Sequence, residues 1–101
     1  MEKLLNDLII TAENCVIQSA LSDMNMNDCI TSCNMLERIT KAYKVCYKFD
    51  CKSKVSNPLQ KALKACCEEC HTVCSKHQAD HCKKCAKQIK KFLDFVNTKK
   101  N

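Results

Sequence analysis

Apolar positions recur at intervals of three and four through most of the chain, and polar clusters break that rhythm at three places. The first stripe, Leu5, Leu8, Ile9, Ala12, Cys15, Val16 and Ser19, predicts a helix over about 2–21. The polar run from Ser22 to Asp28 is rich in capping residues and separates it from a second stripe. That stripe, Met26, Cys29, Cys33, Leu36, Thr40, Tyr43 and Tyr47, predicts a helix over about 26–49. Asp50 to Asn57 has no period and ends in Asn-Pro, so it reads as a loop, with Pro58 in the first turn of a third helix that ends near His77. The expected core face of that helix is Leu59, Leu63, Cys66, Cys70, Val73 or Cys74, and His77, with Cys67 on the flank. The period resets between Ser75 and Asp80. A fourth helix over about 80–97 then carries Cys82, Cys85, Ile89, Phe92 and Val96, and the tail from Thr98 is expected to fray.

Amphipathic helices joined by short links must run antiparallel to their neighbours. The expected fold is therefore all-α, an antiparallel up-down-up-down four-helix bundle, in one domain over 1–101. Composition agrees, because no Gly and a single Pro leave few residues for hairpin turns.

Charge changes the picture little. The net charge is +6, but the lysines are spread over outward positions of every expected helix and no aromatic stacking platform accompanies them, so a nucleic-acid partner is not expected. No apolar run is long enough to span a bilayer, so no membrane partner is expected either. The N-terminal segment has no basic region followed by a clean apolar core, and a cytoplasmic location is the expectation.

The eleven cysteines change it most. In a reducing compartment a thiol cluster is better suited to metal or redox chemistry than to structural bridges. Antiparallel packing places the end of the first helix, the start of the second, the end of the third and the start of the fourth together. At about 1.5 Å of rise per residue, Cys29, Cys74 and Cys82 lie about 5 Å below that end. Cys15, Cys33, Cys70 and Cys85 form a layer about 9 to 12 Å deep, with Cys66 and Cys67 below. Met24, Met26, His77 and His81 fall at the mouth, with His77 the expected guard and His81 also readable as a cap. Leu5, Leu8, Leu36, Tyr43, Tyr47, Leu59, Leu63, Ile89, Phe92 and Val96 are expected to plug the other half. Thiolate and thioether donors select a soft ion, and Cu(I) accepts roughly two or three thiolates per ion, so pairs such as Cys29/Cys33 and Cys70/Cys74 suit a column of copper ions. Zinc is less favoured, because a tetrahedral site concentrates its ligands in one cluster.

The run Cys74-Ser-Lys-His77-Gln-Ala-Asp-His81-Cys82-Lys-Lys-Cys85-Ala86-Lys87, with the preceding Cys66/Cys70/Cys74 spacing, resembles the cysteine-rich four-helix-bundle copper storage proteins of bacteria, their cytosolic class in particular. The similarity is close over about 66–88 and looser around Cys29 and Cys33. It implies Cu(I) held inside the bundle on Cys-x-x-x-Cys thiolates, His and Met at the entry end, and assembly as a homo-tetramer. The first helix carries only Cys15, and Ile89, Phe92 and Val96 stand where that family continues its thiols. A smaller copper cluster at one end is therefore the expected version.

Blander readings stand beside this one. Free cysteine often serves as a small buried hydrophobe, so Cys15 alone would indicate nothing, and Cys46 and Cys51, at the opposite end, are left outside the main site with packing and a local disulfide both open. His71 is expected to face solvent. Met24 and Met26 can equally be loop residues that pack the core end. No Gly-rich phosphate loop occurs, Glu68/Glu69 read as a solvated face, and a Cys74/His77 pair lacks an orienting third group, so no enzyme is expected. The competing classes are a thiol-redox or disulfide-stabilised interaction module and a structural zinc or iron-sulfur bundle.

Overall fold

Each helix of the bundle begins where the polar clusters release the chain. The computed structural model describes residues 1–99, which form α1 (Glu2–Leu21), α2 (Asn27–Lys48), α3 (Ser53–Ser75) and α4 (Asp80–Lys99). No strand occurs among the described residues. Every helix packs on the next, and α4 returns to α1, so the four close into a ring around one core. The links 22–26, 49–52 and 76–79 are too short to cross the bundle, and consecutive helices run antiparallel.

The first link is held by side chains: the Asn25 Oδ1 accepts from the Asn27 N–H, and the Ser22 Oγ from the Met24 N–H. At the last link the Ala79 carbonyl accepts from the N–H groups of Cys82 and Lys83, which starts α4 with Asp80 in its first turn, where a carboxylate favours the helix dipole. That helix continues through Thr98, whose hydroxyl donates to the Asp94 carbonyl, so the chain is helical beyond the expected fraying point. Residues 100 and 101 lie outside the described residues.

The start of α3 corrects the sequence reading. The Lys52 carbonyl accepts from the N–H groups of both Val55 and Ser56, so the helix opens at Ser53 and Pro58 lies inside it. Proline there removes the hydrogen bond that the Lys54 carbonyl would otherwise receive. Both residues are exposed, where a freed carbonyl is open to hydration, so the helix tolerates the ring.

The half of the bundle containing the N-terminus of α1 is a hydrocarbon core of Leu5, Leu8, Leu36, Leu63, Ile89, Phe92 and Val96, all buried. Tyr43 and Leu59 are half-buried beside it. Tyr47, expected in this core, is 47% exposed, while Cys46 is buried beside it, outside the core cluster. Thr40, buried in the same core, satisfies its hydroxyl on the Leu36 carbonyl one turn back.

Candidate metal centre

Above that core the interior changes from hydrocarbon to sulfur. The stripe of each helix delivers thiols to the same height: Cys15 from α1, Cys29 and Cys33 from α2, Cys67, Cys70 and Cys74 from α3, Cys82 and Cys85 from α4, and all are fully buried. Near the mouth the Cys29 sulfur lies 3.4 Å from that of Cys74 and 3.5 Å from that of Cys82. One layer down the Cys33 sulfur lies 3.2 Å from Cys70, 3.6 Å from Cys74 and 3.8 Å from Cys85. Cys15 joins the upper set at 3.8 Å from Cys29.

The sulfurs sort into sets compact enough to hold a metal ion. Cys15, Cys29, Cys33 and Cys74 form one, and Cys33, Cys70, Cys74 and Cys85 form another, each with all of its ligand atoms within 4.8 Å of one another. Cys33 and Cys74 belong to both, so the two sets share an edge and form a continuous column. A third set combines Cys15 and Cys82 with an imidazole nitrogen of His81. These clusters are buried, preformed and rich in soft donors, and they can bind metal ions.

Electrostatics divide the metal-free thiols into some that are raised and some that are lowered. Burial pushes the Cys67 thiol up to about 12 and is the leading cause of the same rise, to about 12, at Cys82. Cys33 is raised by the thiols of Cys15, Cys70, Cys74 and Cys85 around it. Cys74 moves the other way, lowered by hydrogen bonding with the thiols of Cys15, Cys33 and Cys70, and Cys85 and Cys15 are lowered as well. Negative charge in the column therefore falls among thiols that belong to the two four-thiol sets. A cation arriving there offsets the cost of burying charge and releases protons from the neighbouring thiols.

Two of the sequence assignments change at this end. Cys67, expected on the flank of α3, is fully buried, and Cys66, expected on the core face, is half-buried against the groove between α2 and α3. The face that packs is Leu63, Cys67, Cys70, Val73 and Cys74, which keeps the inferred stripe at Leu63, Cys70, Val73 and Cys74 and differs from it in taking Cys67 in place of Cys66. Cys66 is absent from the compact thiol sets, and Cys67 lies beneath them.

The two histidines exchange roles. His81, not His77, reaches the thiols, and its Nε2 lies 3.2 Å from the Ser19 Oγ, which in turn sits 3.9 Å from the Cys15 sulfur. His77, in the link between α3 and α4, instead pairs with Asp28 at the start of α2, Nε2 to Oδ1 at 3.1 Å. Asp28 also accepts from the Cys29 N–H at 2.7 Å; although its partial burial opposes this, that bond and His77 hold the carboxyl below its ordinary range. Met26 is buried in the core beside the thiols, whereas Met24 is 69% exposed on the link. Ser19 and Asp28 are the positioning residues that sequence reasoning missed. A serine inside an otherwise apolar stripe was the available signal for the first, and none distinguished the second from a helix-start carboxylate.

Comparison with known proteins returns no match, whether against family models, curated proteins or solved structures. No described helix is long and apolar enough to cross a membrane.

Proposed function

We propose that this chain sequesters several Cu(I) ions on the buried thiolates of Cys15, Cys29, Cys33, Cys70, Cys74, Cys82 and Cys85, as a compact relative in kind of the bacterial copper storage bundles it resembles. The observation that supports this most directly is the sharing of Cys33 and Cys74 between two four-thiol sets. Thiolates that bridge neighbours suit an ion that needs roughly two or three sulfurs and can be strung along a column. The buried thioether of Met26 and the imidazole of His81 at the upper end add donors that a Cu(I) entry site can use. His77, Met24, Cys66 and Cys67 belong to the periphery of this proposal, as entry or lower-layer groups.

A structural zinc pair is the second reading, because six thiols with two shared also provide two tetrahedral sites. The donors at the mouth favour copper, since a thioether is a poor zinc ligand. Assembly as a homo-oligomer is supported by apolar side chains that α1 and α2 leave in solvent, among them Ile10, Ile17, Leu21, Val45 and Phe49.

The deciding experiment is anaerobic titration of the fully reduced protein with Cu(I) against a chelator of known affinity, with Zn(II) run in parallel. Several Cu(I) ions per chain, retained against the chelator and not displaced by zinc, are expected. A stoichiometry of two for zinc with no tighter copper binding would replace this reading by the structural one.

A further inference from the structure

Cys46 and Cys51 lie far from the thiol column, at the end of α2. The chain stops helical winding at Phe49, and Asp50 takes a positive φ of 51°. The Cys51 N–H then reaches back to the Cys46 carbonyl at 3.1 Å. A left-handed residue closed by a hydrogen bond from two positions beyond the cap to the third-last helical residue is the Schellman turn, and its geometry brings the side chains of those two positions together. Here both of them are cysteines. Asp stands at the left-handed position where Gly is the common choice, a substitution its short polar side chain allows.

Both thiols line one open surface cleft, with Tyr43, Tyr47, Lys48 and Asp50 around them. Cys46 is 6% exposed at the cleft floor and Cys51 is half-buried at its rim. The two sulfurs affect each other, since the neighbouring Cys51 thiol is the leading cause that holds Cys46 above its ordinary range. By contrast, every thiol of the two four-thiol sets has no solvent exposure. Same-helix pairs within the column are also poor disulfide partners, because their Cβ vectors do not converge, and the close cross-helix pairs such as Cys33 and Cys70 are sealed from an external reagent by burial.

We propose that Cys46 and Cys51 are a reversible disulfide site, oxidised by low-molecular-weight disulfides while the thiol column stays reduced. The Cys51 thiolate attacks one sulfur of the reagent disulfide, forming a mixed disulfide and releasing one reagent thiol. The Cys46 thiolate then attacks the Cys51 sulfur, forming the intramolecular S–S bond and releasing the second reagent thiol. Two cysteine S–H bonds are lost, one S–S bond forms, and the reagent disulfide is reduced to two thiols, so protons and electrons balance. Entry is through Cys51 because it is the more exposed of the two. The bridge closes the turn between α2 and α3 without altering the helices that carry the column, so oxidising equivalents are consumed at the end of the bundle remote from the metal-binding thiols.

The sequence supplies a direct test, independent of copper. Lys44, Lys48 and Lys52 bracket the pair, so trypsin places Cys46 in Val45–Lys48 and Cys51 in Phe49–Lys52. Metal-free reduced protein is treated with oxidised glutathione, remaining thiols are blocked, and the digest is read by mass spectrometry. Loss of two of the eleven thiols and a linked pair of these two peptides, split by reductant, is expected. Cys51→Ser, which keeps the backbone turn, is expected to abolish that species and leave the column thiols titratable. A stable glutathione adduct on Cys51 that Cys46 never resolves would overturn the proposal. So would a first-formed disulfide within the column or to Cys66, or a Cys51→Ser protein that loses two thiols as fast as the parent.

Discussion

The sulfur of Cys33 on α2 lies 3.2 Å from that of Cys70 on α3, although 37 residues separate them in the chain. Cys33 also approaches Cys74 and Cys85 from the same position, which makes it the hub of the column. Its substitution therefore tests the proposed function more sharply than that of any peripheral thiol. Cys33→Ser is expected to lower the number of Cu(I) ions held against a chelator by more than Cys66→Ser, which removes a half-buried thiol outside the compact sets. Equal capacities for the two variants in anaerobic titration would refute the shared-edge arrangement.

The hydrocarbon half should be separable from the sulfur half. Ile89 and Phe92 are buried in α4 one to two turns from Cys85, and truncating either to alanine removes packing without removing a donor. Each substitution is expected to cost about 2 to 5 kcal/mol in urea unfolding of the metal-free protein. Copper stoichiometry below the unfolding transition is expected to match the parent. A folded variant with diminished capacity would show that the two halves do not act independently.

Alkaline pH should weaken the metal-free fold. Burial raises the Cys67 thiol from an ordinary 9.0 to about 12, so between those values the unfolded chain gives up a proton that the folded chain keeps. The stability from this group is complete below pH 9 and falls as pH rises toward 12, by about 1.4 kcal/mol per pH unit. Chemical denaturation of reduced protein at a series of alkaline pH values measures the slope. Cys67→Ala should reduce the slope by this one group's share, while Cys82, raised to the same extent, still contributes, and an unchanged slope would count against the buried protonated thiol.

The histidines should divide along the lines of their partners. His81, held by Ser19 beside Cys15 and Cys82, is expected to matter for metal uptake, and His81→Ala should slow Cu(I) transfer from a chelator in stopped-flow absorbance. His77 is hydrogen-bonded to the exposed Asp28, and His77→Ala should change stability by no more than about 1 kcal/mol, as loss of an exposed polar contact does. Slower uptake in His77→Ala with none in His81→Ala would restore His77 as the guard of the mouth.

Much of this was legible before folding. The stripes of α1, α2 and α4, the antiparallel order and the meeting of Cys15, Cys29, Cys33, Cys70, Cys74, Cys82 and Cys85 at one end all follow from helical periodicity and short links. Periodicity is a local property, and short links leave only one way to pair the helix ends. Helix rotation is not local. Cys66 and Cys67 are sequence neighbours separated by a fraction of a turn, and either satisfies an apolar stripe, so the choice between them is not made locally. The choice belongs to the packing of all four helices at once, and in α3 the winding also begins before Pro58, where a proline rule alone places a loop. The histidine exchange has the same origin: the sequence puts both imidazoles at the mouth, but only the tertiary arrangement sets Ser19 opposite His81 and Asp28 opposite His77, because those partners lie on other helices. The chain's own pattern thus determined a bundle with sulfur at one end, and the mutual rotation of its helices decided which sulfurs and which imidazole form the column.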